Sequence, residues 1–343
     1  MTMRQELAES PTVVDGLLVS ARAPLAHLAG EVRRRGTRFV LVAARGTSDH
    51  AATYAQYVLG ARAGLPVGLA TPSLSSLYGL APRVADALVI GMSQSGRSPD
   101  IVAVLDDARR QGALTLAITN DPGSPLAGAA DVVVPLEAGP ELAVAATKTY
   151  VAELAVVALL SEALRAGERD PALDRLPAAL ASMLELEPSI VGLAGRFAPA
   201  PACVVLARGF QFATACEWAL KLKEVAGVFA DPYSAADYEH GPIALAEPGM
   251  PVLAVVSSGP TLAGMISLLG RLAADGADLL IVSDAEAARA LGSGSLALLA
   301  ELPEWLAPIA AILPCQLFAY HLAVARGRDP ETPHNLSKVT LTR

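Results

Sequence analysis

The stretch EWALKLKE, residues 217–224, places three charged side chains at spacings that could support proton transfer. Glu217, Lys221 and Glu224 follow one another by four and three positions, so they share one face of a helix. A carboxylate screened from water can act as a base, and a nearby ammonium can stabilise developing negative charge. The spacing alone favours an exposed Glu–Lys pair that contributes about 0.3 kcal/mol. The small and apolar residues that follow favour a buried helix instead.

A histidine lies 16 positions after Glu224, in the sequence EHGPIAL. The Gly-Pro pair behind His240 predicts a loop, in which an imidazole can meet solvent or a ligand. Histidine changes its charge near neutral pH, so it is suited to moving protons during a reaction. His240 is therefore a second candidate for chemistry.

Two turns rich in hydroxyl groups form another set of candidates. Thr47 and Ser48 follow one predicted strand, and SQSGRS at 93–98 follows the next. Such turns lie at the carboxyl ends of the strands, where open α/β sheets bind ligands. Hydroxyl groups and free N–H groups at a helix N-terminus suit a phosphate, although N-capping by Ser and Thr explains the same residues. No nucleotide-binding fingerprint of the GxGxxG or GxxxxGK[ST] type is present.

The elements that carry these residues are buried strands and helices in alternation. Apolar runs rich in β-branched residues predict strands, and the segments between them predict helices. Such alternation predicts βαβ units and a parallel sheet covered by helices. The predicted strands are residues 38–44, 86–92, 114–120 and 131–137, and the helices between them are residues 50–64 and 98–112.

The same pattern recurs in the second half of the chain. The Arg-Gly pair at 45–46 lies 50 positions before the Ser-Gly pair at 95–96. The Arg-Gly pair at 208–209 lies 50 positions before the Ser-Gly pair at 258–259. We therefore predict an α/β protein with two tandem doubly wound parallel-sheet domains and helices on both sheet faces. The predicted segments are a helical arm (1–35), the first domain (36–165), a helical linker (166–197), the second domain (198–325) and a polar tail (326–343).

Composition argues against several classes of protein. The net charge of −8 disfavours a nucleic-acid surface and attraction to anionic lipid. Two prolines, a Gln and a His interrupt the apolar run at 304–325, which favours a buried helix over a membrane span. The three cysteines are far apart, so we expect reduced thiols and no metal site. The N-terminus lacks the apolar region of a signal peptide, and we expect a cytosolic protein without nucleic-acid or membrane partners.

Six ordered motifs resemble the sugar isomerase (SIS) family. They look specifically like the isomerase half of glucosamine-6-phosphate synthase and its stand-alone relatives, the SIS-type glucosamine-6-phosphate deaminases. The motifs are RGTS (45–48), SQSGRSPD (93–100), AGPELAVAATKTY (138–150), EWALKLKE (217–224), EHGPIAL (239–245) and PCQLFAYHLAVARGRDPETPHNLSKVT (314–340). Together they span nearly the whole chain. The resemblance implies a flavodoxin-like or Rossmann-like SIS fold for both domains, and no metal or organic cofactor.

The resemblance also implies roles for individual residues. Glu224 would move a proton between C2 and C1, and His240 would help to open the pyranose ring, in the family from a neighbouring subunit of a homodimer. Lys338 would close over the substrate from the tail. Glu217 and Lys221 would shape the site around Glu224. Lys221 would also be one of the catalytic residues. The residues implied to hold the sugar phosphate are Thr47, Ser48, Ser93, Gln94, Ser95 and Ser98, and those implied to shape the substrate pocket are Val144 and Ala146.

Some positions depart from the synthase pattern. The chain begins with Met-Thr-Met and not with the catalytic Cys of a glutaminase domain, so we expect no use of glutamine. Ala146 stands where the synthase has a second Ser, and Glu239 stands beside His240 where a Lys is usual. The ending NLSKVT is more similar to the deaminases.

We therefore predict a cytosolic homodimer that converts glucosamine-6-phosphate and water into fructose-6-phosphate and ammonia. One alternative is another aldose–ketose phosphosugar isomerase. Another is a deglycase that splits an amino-acid adduct of fructose-6-phosphate. A third, from a different class, is a non-catalytic sugar-phosphate sensor.

Overall fold

Two five-stranded sheets organise the chain. The computed structural model describes residues 2–165, 169–299 and 301–338. Within these residues ten strands pair in parallel, five to a sheet. The predicted α/β fold of two tandem parallel-sheet repeats is confirmed.

The first sheet contains β1 (Phe39–Ala43), β2 (Val67–Leu69), β3 (Ala87–Met92), β4 (Leu114–Thr119) and β5 (Val132–Pro135). Their order across the sheet is β2-β1-β3-β4-β5. Every residue of β3 and β4 is buried, as expected where helices cover both faces of a parallel sheet. The helices that precede, connect and follow these strands are α1 (Met3–Ser20), α2 (Arg22–Arg35), α3 (Thr47–Ala63), α4 (Pro72–Ser76), α5 (Pro99–Arg110), α6 (Pro125–Gly128) and α7 (Lys148–Leu164).

The second sheet contains β6 (Ala202–Ala207), β7 (Phe229–Ser234), β8 (Pro251–Val256), β9 (Asp278–Ser283) and β10 (Gly294–Ala297). Their order is β10-β9-β8-β6-β7. A π-helical turn, Leu222–Ala226, continues the helix before β7. The helices of this half are α8 (Leu176–Leu184), α9 (Glu187–Phe197), α10 (Phe212–Lys221), α11 (Ala235–Glu239), α12 (Leu262–Ala274), α13 (Glu286–Arg289) and α14 (Ala307–Ala325).

Both sheets have the same topology. Counted within each repeat, the second strand lies at an edge and is followed by the first, third, fourth and fifth. The chain therefore reverses its winding between the first and third strands, which are β1 and β3 in one sheet and β6 and β8 in the other. Ligands of open α/β sheets bind at such a switch point, beyond the carboxyl ends of the strands.

Three strands are not evident from the sequence pattern. They are β2, β7 and β10, and each lies at an edge of its sheet. β2 has three residues and β10 has four, which is too short for a periodic pattern. β7 reads FADPYS, and its proline is tolerated because an edge strand pairs on one side only.

The chain divides into two compact units that interleave along the sequence. One contains the first sheet, with residues 12–141 and 148–174, and it also contains Ser337 and Lys338 from the tail. The other contains the second sheet, with residues 2–11, 142–147 and 175–336. Residues 166–168 of the predicted linker and 339–343 of the predicted tail lie outside the described residues.

Helix α14 is the apolar segment that resembles a membrane span. Among the described residues it is the single helix long and apolar enough to cross a membrane, and 78% of its apolar window is buried inside the protein. A second candidate arises only if Leu173–Leu184 and Glu187–Phe197 are joined across a 55° bend. Phe318 of α14 packs edge-to-face against Trp218, with ring centroids 5.6 Å apart. Burial of this kind also occurs in the core helix of a soluble protein.

Candidate active site

The two hydroxyl-rich turns follow β1 and β3, the strands that flank the switch point of the first sheet. Thr47 and Ser48 begin α3, directly after Gly46. Ser98 is the N-cap residue of α5, which follows the SQSGRS loop. Both helices therefore begin at the carboxyl edge of the sheet, where the helix dipole favours negative charge. That arrangement suits an anion such as phosphate.

Gly96 lets the SQSGRS loop pack against the neighbouring turn after β4. Its φ of 61° is a left-handed conformation that favours glycine. A Cβ atom on this residue would lie 2.1 Å from Ser124 Oγ and 2.9 Å from Thr119 Oγ1. The Asn120 N–H also donates a 3.1 Å hydrogen bond to the Gln94 carbonyl. The loop is thus held in one conformation by its neighbour.

The predicted phosphate residues of this loop differ in how their side chains are engaged. Ser93 Oγ accepts a 3.1 Å hydrogen bond from the backbone three residues on. Ser95 Oγ accepts one of 3.3 Å from the backbone two residues on. Both hydroxyl groups still have a proton to donate. Among the described residues, Gln94 and Ser98 have side chains with no hydrogen-bonding partner, which leaves them available to a ligand.

Ser48 is engaged differently from the other candidates. Its hydroxyl donates a 2.7 Å hydrogen bond to Glu153 Oε1, and both residues are buried. Glu153 lies in α7, so this bond ties the start of α3 to that helix. The Ser48 proton is directed at a protein carboxylate, and its role as a phosphate ligand stays a prediction. Thr47, beside it, is half-buried.

An ion pair that is not predicted from the sequence joins the two turns. Arg45 Nε donates a 2.9 Å hydrogen bond to Asp100 Oδ2. Asp100 is fully buried in the first turn of α5, whereas the Arg45 side chain is 49% exposed. The pair fixes the spacing of the two turns and leaves part of a guanidinium facing solvent beside them. The RGTS and SQSGRSPD motifs contain both residues, but only the fold makes them neighbours.

The charged helix of the second unit is buried and not a surface stripe. The Lys221 ammonium lies 3.1 Å from Glu217 Oε1 and 2.5 Å from Glu224 Oε2. The side chains of Glu217 and Lys221 are fully buried, and that of Glu224 is 21% exposed. The expectation of an ordinary exposed pair, favoured by spacing alone, is therefore wrong. Of the three groups, Glu224 is the one that a substrate can reach.

Two opposing effects set the charge of Lys221. Burial alone would lower its pKa, but the carboxylates of Glu217 and Glu224 outweigh burial, so its pKa lies above the ordinary value. The ammonium therefore stays charged at neutral pH. A charged group between two carboxylates also keeps their separation fixed.

Glu224 lies within the π-helical turn that follows α10. Such turns are rare and occur often at functional sites, because they redirect side chains from the regular helical register. The turn ends at Gly227, whose φ is 62°. This left-handed conformation favours glycine, and the Arg328 guanidinium group lies against the space that a Cβ atom would take.

His240 lies at the end of α11 and is exposed. Its backbone N–H donates a 3.1 Å hydrogen bond to the Asp237 carbonyl, which fixes the turn. Within the part of the chain that the structure describes, no hydrogen bond or ion pair joins His240 to Glu224. Glu239, the residue that the family pattern does not explain, forms an ion pair with Arg271 of α12. This exposed ion pair connects α11 to α12.

The loop 142–147 carries two of the predicted pocket residues. Val144 and Ala146 are half-buried and alternate with buried Ala143 and Ala145. Glu6 of α1 is fully buried, and its carboxylate accepts hydrogen bonds from the backbone N–H groups of the loop at Leu142 and Ala143. This role of the N-terminal arm is not evident from its sequence.

Lys338, the predicted tail residue, is held by a buried carboxylate. Its Nζ atom lies 2.9 Å from Glu141 Oε2. The Glu141 side chain is fully buried, and that of Lys338 is 24% exposed. The structure thus brings the tail lysine to the loop that follows β5 of the first sheet.

The described residues contain no cluster of metal ligands, and two of the three cysteines are buried. Within residues 2–165, 169–299 and 301–338, no group of three or more His, Cys, Asp or Glu side chains could hold a metal ion. Cys203 and Cys315 are buried. Burial raises the pKa of Cys203 to about 12, so its thiol is protonated at neutral pH.

Comparison with known sequences gives a consistent match. The sequence model of the SIS domain matches twice, over residues 35–163 and 197–326. The glutamine–fructose-6-phosphate aminotransferase (isomerizing) of Zymomonas mobilis is 33% identical over 98% of this chain. The match covers 58% of that relative, so the chain spans little more than half the length of the curated relatives it resembles.

Two solved structures share the fold. A proposed phosphosugar isomerase from Silicibacter pomeroyi DSS-3 has a TM-score of 0.86 and 35% identity, over 96% of this chain and 100% of its own. The glucosamine-6-phosphate deaminase of Thermotoga maritima has a TM-score of 0.73, over 98% of this chain and 100% of its own. At 19% identity, that second likeness shows the fold alone.

Proposed function

The chain belongs to the SIS domain family, and on that premise we propose that it is a phosphosugar isomerase that deaminates glucosamine-6-phosphate. The products are fructose-6-phosphate and ammonia. The observation that carries the proposal is the buried set of Glu217, Lys221 and Glu224, of which Glu224 alone reaches solvent. A carboxylate in such a setting is suited to take a proton from carbon.

The first steps bind the substrate and open its ring. The hydroxyl-rich turns before α3 and α5 hold the phosphate, with the free side chains of Gln94 and Ser98 among the donors. His240, exposed in its loop, transfers a proton between the ring oxygen and O1. The open-chain product is an aldehyde at C1 with the amino group on C2.

The next steps move one proton and release ammonia. Glu224 takes the proton from C2, which gives an enolamine, and returns it to C1. The nitrogen is then doubly bonded to C2 as an iminium. Water adds its OH to C2 and its remaining proton goes to O1, and the resulting carbinolamine releases ammonia to form the ketone of fructose-6-phosphate. The ammonium of Lys338 stabilises negative charge that develops on O1 during the transfer.

Simple aldose–ketose isomerisation is the second candidate. It uses the same proton transfer and omits the addition of water. The name of the Zymomonas mobilis relative includes the word isomerizing, which supports simple isomerisation by this chain. The similarity of the NLSKVT ending to SIS-type deaminases supports the deaminating reaction instead.

The proposal includes a cytosolic homodimer in which His240 acts in the neighbouring subunit. An exposed imidazole with no bond to Glu224 within its own described chain is compatible with that arrangement. Sedimentation equilibrium tests the assembly, since a monomer at catalytic concentrations would exclude it.

The reaction is tested by product analysis. The protein is incubated with glucosamine-6-phosphate, and ammonia and fructose-6-phosphate are measured in parallel. Equal amounts of both products are expected. Turnover of glucose-6-phosphate or of a fructosamine phosphate, with no ammonia from glucosamine-6-phosphate, would identify the second candidate or a deglycase. Binding of the sugar phosphate without any turnover would identify a sensor.

A further inference from the structure

The buried carboxylate of Glu141, to which no role has been assigned so far, connects the start of a helix to the tail. Glu141 Oε1 accepts a 3.1 Å hydrogen bond from the Thr149 backbone N–H. Glu141 Oε2 accepts bonds from the Thr149 hydroxyl at 2.8 Å and from Lys338 Nζ at 2.9 Å. Both oxygens of one carboxylate are thereby engaged.

The helix fixes where this carboxylate lies. Thr149 is the second residue of α7, a 17-residue helix with a largely buried surface. Its N–H is one of the groups at a helix N-terminus that lack a partner within the helix, and the helix dipole favours a negative charge there. Burial of a carboxylate is costly unless its oxygens are hydrogen-bonded, and here they are. Glu141 is therefore a rigid acceptor.

Lys338, in contrast to the rigid Glu141, is not held by secondary structure. It has a long flexible side chain, and no helix or strand is present between Arg326 and Lys338. Held by Glu141, its ammonium has a defined position, since a charge-assisted bond to a fixed acceptor restricts an otherwise mobile side chain. Glu141 and Lys338 are 197 positions apart in the sequence. Their contact therefore also holds this end of the tail in the unit that contains the first sheet.

We propose that Glu141 is a positioning residue that holds Lys338 for the reaction. The inference rests on the proposed function, in which the Lys338 ammonium stabilises charge on the substrate. Glu141 acts through Lys338 and does not itself contact the sugar. Loss of its charge should therefore slow the chemical step more than it weakens substrate binding.

A double-mutant cycle tests the coupling. Glu141→Gln and Lys338→Met are each expected to lower kcat about tenfold or more, with little change in KM. The double variant should be no slower than Lys338→Met alone, because two residues that act as one unit are not additive. Losses that multiply, or a change confined to KM, would overturn the inference. If Glu141→Gln does not fold, Thr149→Val removes one hydroxyl donor and should give a smaller loss of the same kind.

A second measurement does not depend on activity. Trypsin must take the lysine side chain into its own pocket, so cleavage after Lys338 requires release from Glu141. Glu141→Gln should release the peptide 339–343 several-fold faster than wild type, as followed by intact mass. Glu31→Gln is the matched control, because its ion pairs with Arg34 and Arg35 are on the surface of α2. Equal cleavage rates in all three proteins would overturn the positioning role, whereas an inactive wild type with the expected cleavage pattern would reject only the proposed function.

Discussion

Glu224 Oε2 lies 2.5 Å from Lys221 Nζ, and of these two side chains only that of Glu224 reaches solvent. The lysine is fixed from its other side by buried Glu217. A base held in this way has one orientation and one accessible oxygen face. Under the proposed function, this relationship gives the helix the base of the reaction, although its spacing alone is typical of a surface stripe.

Alkaline pH should weaken the fold through Lys221. Its pKa in the folded protein is raised above the ordinary value, so its stabilising contribution is complete below the unfolded pKa of about 10.4 and is lost as the pH rises through the folded pKa. Urea midpoints measured from pH 7 to 12 should fall over that range in wild type. Lys221→Met should be less stable at neutral pH by about 3 kcal/mol and should lack this part of the decline.

Lys223→Met is the control for that experiment. Lys223 is exposed and lies two residues further along the same turn. Its variant should keep the alkaline decline of wild type. Identical curves for the Lys221 and Lys223 variants would contradict the account of the buried pair.

Gly96→Ala should disturb the SQSGRS loop, which is the proposed phosphate site. The new Cβ atom would lie 2.1 Å from Ser124 Oγ, and the φ of 61° would be strained as well. We expect a loss of about 2–4 kcal/mol in the free energy of unfolding and weaker binding of inorganic phosphate by calorimetry. Gly112→Ala has a similar φ of 79° with nothing within 4 Å, so it should cost only the backbone strain of about 1 kcal/mol. Equal losses in both variants would show that the contact with Ser124 does not matter.

Glu6→Gln should loosen the loop that contains Val144 and Ala146. The amide of the new Gln has the same shape as the carboxylate but no negative charge. It is therefore a weaker hydrogen-bond acceptor for the N–H groups of Leu142 and Ala143. A loss of about 1–3 kcal/mol in unfolding free energy is expected, as for a buried group left poorly hydrogen-bonded. KM for the sugar phosphate should rise. An unchanged KM alongside reduced stability would restrict Glu6 to a structural role.

Mixed dimers should show which subunit supplies His240. His240→Ala and Glu224→Gln are each expected to be inactive alone. Random association of the two variants should restore about a quarter of wild-type activity, because half of the dimers are mixed and each has one intact pair of residues. Absence of any recovery in proven mixed dimers would place His240 in the same subunit as its Glu224.

Much of the fold follows from the sequence because its strands are buried on both faces. Runs such as ALVIGM in β3 have no polar positions, and this is the pattern that parallel strands require. The positions of the turns after β1 and β3 are predicted by the same pattern. A strand–turn–helix unit places its turn at the carboxyl edge of the sheet. The strands β2, β7 and β10 could not be predicted, because β2 and β10 lack a run of β-branched residues and β7 contains a proline and polar residues.

The contacts of the candidate site were less predictable. Spacing placed Glu217, Lys221 and Glu224 on one face, but the same spacing occurs on exposed and buried helices. Burial is decided by tertiary packing, which the local pattern does not contain. The Lys338–Glu141 pair joins positions 197 apart in the sequence, so nothing local to either residue indicates it.

Solvent exchange at C2 tests the central claim most directly. In deuterium oxide, wild type should incorporate deuterium at C2 of glucosamine-6-phosphate recovered before full conversion. Glu224→Gln should abolish this exchange and still bind the sugar phosphate with nearly unchanged affinity. Glu286→Gln, an exposed glutamate of the same unit, should exchange like wild type. Undiminished exchange in Glu224→Gln would contradict the assignment of Glu224 as the base.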